Sequence, residues 1–128
     1  MSKQRESARR RRSLFARIVR ETVDGLPERF RPRNLAIVIE DEPGPRHRAE
    51  NQRSDELLGL YEGVPLTGRG LEDPLLPDRI TIFRKSVEAM TSSPSEQRAI
   101  IRRTVVHEIA HHFGLSDERL DELGLGDE

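Results

Sequence analysis

Two histidines and a glutamate carry the first chemical signal in this chain. They stand as His107, Glu108 and His111 within Thr104–Asp117, T-V-V-H-E-I-A-H-H-F-G-L-S-D. Each helical residue turns about 100°, so positions i and i+4 lie about 40° apart. Both imidazoles therefore project from one side, close enough to share one ion. Neutral imidazole suits a borderline-soft metal such as zinc. H-E-x-x-H is the zinc-binding spacing, with the glutamate as candidate general base. A catalytic zinc needs at least three protein ligands and an open position for water. The chain continues as H-E-x-x-H-x-x-G-x-x-D. Gly114 permits a positive-φ turn back toward the ion, and Asp117 beyond it offers a carboxylate oxygen. Glu118 and Asp121 are the substitutes for that third ligand.

Three other side chains are candidates for less. His112 lies about 140° around the helix from His107, too far to share the ion, and reads as structural. Its place near a helix C-terminus favours a cationic imidazole through the dipole. His47 sits in a loop rich in proline and charge and reads as solvated. Tyr61, the single tyrosine, could stabilise a developing oxyanion. The plainer reading is a strand tyrosine packed with its hydroxyl at the rim.

The helix that presents the histidines is well specified. Ser93-Pro94-Ser95-Glu96 reads as a capping box, with Ser93 as N-cap and Pro94 at the first helical position. Gly114 reads as the residue just past the end. About twenty residues between them span about 30 Å. Ile101, Val105, Ile109 and Phe113, flanked by Val106 and Ala110, form an apolar stripe nearly opposite His107 and His111. One face should be buried and the other offered to a cleft. A short helix follows over 116–123, N-capped by Ser116. There Asp117 has a rival role as a helix-start residue favoured by the dipole.

Residues 13–24 form an amphipathic pattern through Leu14, Phe15, Ile18, Val19 and Val23, ending at Gly25 and Pro27. Strands are expected over 33–40, 56–62 and 79–84, and a short helical turn over 85–91. Loops fill 41–55 and 63–78, the second long enough to wall a cleft. The expected fold is α+β: a small mixed sheet of about three strands packed on the N-terminal helix and the long site helix.

At 128 residues the chain is expected to form one domain, over 13–128. With 34% hydrophobic and 35% charged residues its core must be small. The absence of cysteine excludes disulfides and thiolate metal sites. No apolar run reaches membrane-span length and no signal-peptide h-region follows the early arginines, so a cytoplasmic location is expected. Residues 1–12 hold Lys3, Arg5, Arg9, Arg10, Arg11 and Arg12 against Glu6. They read as a disordered, solubilising arm, with nucleic-acid binding as the second reading.

The sequence resembles the minimal zincin-like metallopeptidases, short bacterial chains with H-E-x-x-H-x-x-G-x-x-D. The resemblance extends to Gly59-Leu60-Tyr61-Glu62-Gly63-Val64-Pro65-Leu66, to Leu76–Arg84 and to Phe113–Leu120, over about residues 30–122. It implies one zinc per chain held by His107, His111 and Asp117, with Glu108 as base and a peptide or protein as substrate. It also implies that Ile80–Arg84 is an edge strand along which the substrate lies. The longer metzincins are similar in the motif, but their downstream methionine turn has no counterpart after Met90. Two other classes compete: a non-catalytic metal-binding or interaction module, and a metal-dependent RNA hydrolase. The second resembles small bacterial ribosomal-RNA maturation hydrolases, which carry H-x-x-x-H-x-x-x-x-x-H. Glu108 and Asp117 argue against it.

Overall fold

The computed structural model describes residues 2–32, 34–45, 57–63 and 77–125. His47, most of the two expected loops, and Asp127 and Glu128 lie outside the described residues. Helix α1 (Ser2–Asp24) leads through a 3-10 turn (Glu28–Phe30) to β1 (Leu35–Glu40), β2 (Gly59–Glu62) and β3 (Asp78–Phe83). Helices α2 (Arg84–Ala89), α3 (Pro94–His112) and α4 (Asp117–Glu122) complete the fold.

The sheet is mixed and has the order β1-β3-β2. β1 pairs with β3 in parallel, from Leu35 against Asp78 to Glu40 against Phe83. β2 pairs antiparallel with β3 on the other side, from Gly59 against Ile82 to Glu62 against Arg79. This corrects the expectation for Ile80–Arg84. β3 is the central strand, hydrogen-bonded on both sides, and among the described residues β2 is an edge strand, with contacts to α3. Arg84 is not in the strand at all but begins α2.

The core forms where α1 and α3 meet one face of the sheet. Phe15, Ile18, Val19 and Val23 of α1 pack with Ile80 and Ile82 of β3 and with Ile101, Val105 and Ile109 of α3. Leu35, Ile37 and Ile39 of β1 close its margin. Burying such side chains contributes about 1.5–3 kcal/mol each. The stripe on α3 thus does what its spacing requires, except at its end. Phe113, the C-cap residue, is 41% exposed and meets the Phe30 ring edge-on at 6.1 Å instead of entering the core.

Residues 1–12, expected as a disordered arm, are helical from Ser2 onward and continuous with α1. The physical reason lies in their composition. Arginine, lysine, glutamine and alanine are good helix formers, and no glycine or proline interrupts them. Ion pairs add tethers: Arg10–Glu6 at 3.8 Å within the helix, Arg11–Glu88 at 3.9 Å and Arg12–Asp41 at 3.3 Å.

Candidate metal centre

Helix α3 begins as its sequence dictates. Ser93 Oγ accepts from the Glu96 N–H at 3.2 Å. The Glu96 carboxylate reaches back one residue further than a capping box requires, accepting from Ser92 N at 2.8 Å and Ser92 Oγ at 2.7 Å. Those bonds hold the Glu96 carboxyl below its usual range.

The helix ends in a Schellman turn. Gly114 sits at φ 74°, its N–H donating to His111 O at 3.0 Å, while Leu115 N–H donates to Ala110 O at 2.8 Å. A positive φ at that point is why glycine stands there. The reversed chain enters α4 at once, N-capped by Ser116 Oγ accepting from Arg119 N–H at 3.1 Å. Asp117 is the first residue of α4 and also faces back to α3. Its position is compatible with both candidate roles.

This turn brings His107, His111 and Asp117 together, with one donor atom from each inside a common 4.8 Å span. His107 Nδ1 lies 3.9 Å from Asp117 Oδ1. The two imidazole rings stand 5.9 Å apart and nearly perpendicular, at 88°. With bonds of about 2.1 Å, tetrahedral zinc spaces its ligand atoms about 3.4 Å apart. The observed group needs only a small contraction to meet that. Two imidazoles and a carboxylate are also a donor set that zinc accepts. Among the described residues no other group of three acidic or histidine side chains comes this close. Glu118 and Asp121 are not part of it.

Glu108 is half-buried and turns one oxygen toward the sheet. Its Oε1 accepts from the Tyr61 N–H of β2 at 3.0 Å. Burial pushes its carboxyl above the ordinary range, opposed by that bond and by the neighbouring His111 and His107. β2 can come this near α3 because of Gly59. A Cβ there would stand 2.8 Å from Thr104 Cγ2 and 2.9 Å from Ile82 Cδ1.

Tyr61 has more than one task. Its hydroxyl donates to Asp78 Oδ2 at 2.6 Å, and its ring lies on the His112 ring at 4.3 Å. His112 Nε2 is 3.7 Å from the same Asp78 oxygen. His112 is thus placed with Tyr61 and Asp78 rather than with the His107 group. Gly63 makes room for it, since a Cβ there would fall 2.6 Å from its ring. Asp78 and the Tyr61 N–H are the two contributors that sequence reasoning missed. Asp78 read as the end of a loop, and a backbone N–H leaves no mark in a residue pattern.

A family model described as zincin-like metallopeptidase matches residues 32–126. A solved structure, a conserved hypothetical protein from T. thermophilus, is similar at a TM-score of 0.54 and 23% identity. The match covers 80% of this chain and 92% of that one. At that identity the likeness speaks for the fold alone. No curated protein matches.

Proposed function

The chain belongs to the zincin-like metallopeptidase family, and we propose that it is a zinc-dependent peptidase with Glu108 as its general base. The observation that carries this reading is the convergence of His107, His111 and Asp117 beside a half-buried Glu108. Those three side chains would hold one ion and leave a coordination position for water. Zinc held there would supply Lewis acidity for a scissile carbonyl and would lower the pKa of a water toward neutrality.

The remaining work falls to this chain's own groups. Glu108 takes a proton from the attacking water and passes it to the leaving amine. The Tyr61 N–H fixes one oxygen of that carboxylate, which leaves the second for the water. Burial raises the affinity of Glu108 for a proton, as a group that must both accept and deliver one requires. The substrate would lie along β2, the edge strand beside α3, where an extended peptide can add to a sheet edge.

Mass spectrometry of chelator-free protein tests the first half of this reading. One zinc per chain is expected, lost in His107→Ala and in Asp117→Ala. Glu108→Gln tests the second half: it should keep zinc and lose hydrolysis across a peptide library. A Glu108→Gln protein that cleaves normally has another base. A zinc-loaded wild type that is inert on diverse peptides is a metal-binding module instead.

A further inference from the structure

The outer face of α1 has no part in the metal centre. Lys3, Arg9, Arg10, Arg17 and Arg20 are all exposed or half-buried on it. At about 100° per residue they fall within about 120° of the helix circumference, along about 26 Å of its length. Arg10 pairs with Glu6 at 3.8 Å. The other four make no ion pair among the described residues. Glu6 is the one acid inside this stripe until Glu21 and Asp24 at its far end, and Glu21 is paired with Arg98 at 3.0 Å.

The stripe is anchored through the second half of α1. Phe15, Ile18, Val19 and Val23 bury the opposite face. Arg11 and Arg12 reach Glu88 and Asp41. Ahead of Phe15 none of the side chains described is buried, so about ten residues of helix, or about 15 Å, carry charge without covering core. All of α1 precedes the region that the family model matches. The overhanging end of the stripe, with Lys3, Arg9 and Arg10, is therefore an addition to the domain, while Arg17 and Arg20 stand on the half of α1 that covers the core.

The chemistry of the stripe selects its partner. A helix that settles on a lipid surface needs Trp, Phe or Leu opposite its charges. Residues 3–13 offer only Ala8 as an apolar side chain. Four of the five cations are arginines, whose planar guanidinium pairs with phosphate through two hydrogen bonds. No aromatic side chain is interleaved among residues 3–13 for stacking on bases. A bare helix of about 10–12 Å diameter matches the major groove of B-form DNA, about 12 Å wide. The major groove of A-form RNA is too deep and narrow for it. We propose that the outer face of α1 binds duplex DNA through its phosphate backbone, without reading sequence.

Fluorescence anisotropy with a labelled DNA duplex of about two helical turns tests this on the full chain. Five phosphate contacts give a slope of about −4.5 in log affinity against log salt. The variant R9Q/R10Q/R17Q/R20Q should weaken binding by roughly a thousandfold near 0.1 M salt and flatten the slope to about −1. Its circular dichroism should be unchanged. Should the fourfold variant fail to fold, R17Q alone decides, with an expected loss of roughly fivefold to tenfold. R119Q, a charge change on α4, should leave affinity within about twofold, and His107→Ala should not alter it, which separates this site from the metal centre. Unchanged binding by the arginine variants overturns the proposal. So does an equal loss in R119Q, tighter binding to an RNA duplex, or equally tight binding to phosphatidylserine vesicles.

Discussion

Tyr61 joins the metal helix to the sheet through three different parts of itself. Its N–H holds Glu108, its ring covers His112 and its hydroxyl donates to Asp78. Tyr61→Phe removes only the last of these. Asp78 is 8% exposed, so its carboxylate would lose a short donor in a place where water replaces it poorly. We expect a loss of about 1–3 kcal/mol in urea unfolding, with zinc content unchanged. A large drop in zinc content would mean that the hydroxyl, not the backbone, positions the helix. The oxyanion role considered for Tyr61 from sequence does not suit a hydroxyl already committed to Asp78. The placement of His107, Glu108 and His111 on one helix was readable because types and spacing suffice to predict it. The grip of β2 on Glu108 was not, because the donor is main chain and 47 residues away in sequence.

The elements divide in the same way. Helix α3 was readable almost residue by residue, since Ser93, Glu96, the apolar stripe and Gly114 all act locally. The order of the strands was not. R-I-T-I-F-R describes a strand well but says nothing about which neighbours it finds. That depends on contacts made across the whole chain, and β3 turned out to be buried in the centre. The turn at Gly114 gives a cleaner test of how an element serves the site. Gly114 and Gly124 both end helices at positive φ, 74° and 76°, and a Cβ at either meets nothing within 4 Å. Alanine at each position should therefore cost a similar backbone strain, about 1–2 kcal/mol in thermal unfolding. Only Gly114→Ala should also weaken zinc binding, because only that turn lies between His111 and Asp117. Equal zinc affinity in the two variants would detach the turn from ligand placement.

Across the molecule, charge ties distant segments together at the end of the sheet where β1 and β3 stop. Arg84 is 5% exposed, and its Nε donates to Asp41 Oδ1 at 3.0 Å while Nη1 reaches Glu88 at 3.1 Å. Arg12 and Arg11 of α1 approach the same two carboxylates. The hydrogen bond from Arg84 holds the Asp41 carboxyl below its ordinary range. A carboxyl whose folded pKa is depressed stabilises the fold above its unfolded pKa and loses that contribution as pH falls through the folded one. Asp41→Asn should accordingly be less stable than wild type near neutrality. The gap should begin to narrow as pH falls below about 4, the ordinary carboxyl value, and close once pH has passed the lower folded pKa, where Asp41 itself is protonated. Chemical unfolding of both proteins over that range measures it, and a gap independent of pH would remove Asp41 from the acid response. None of this network was visible in sequence. Asp41 and Arg84 each read as the flank of a strand, and only the parallel pairing of β1 with β3 brings them side by side.

The Schellman turn at Gly114 has a further consequence for the order in which the protein loses its parts. The entropic cost of closing a loop grows with the number of residues it encloses. His107, His111 and Asp117 span eleven residues, whereas the Glu108–Tyr61 contact closes a separation of 47. The proposed ion-binding group and the Glu108–Tyr61 contact therefore belong to segments that should be able to come apart independently. A zinc-loaded chain partly unfolded in urea should protect amide hydrogens of α3 and α4 after those of β2 have exchanged. In that state the proposed ligands would still stand together while the proposed base had lost its partner in the sheet.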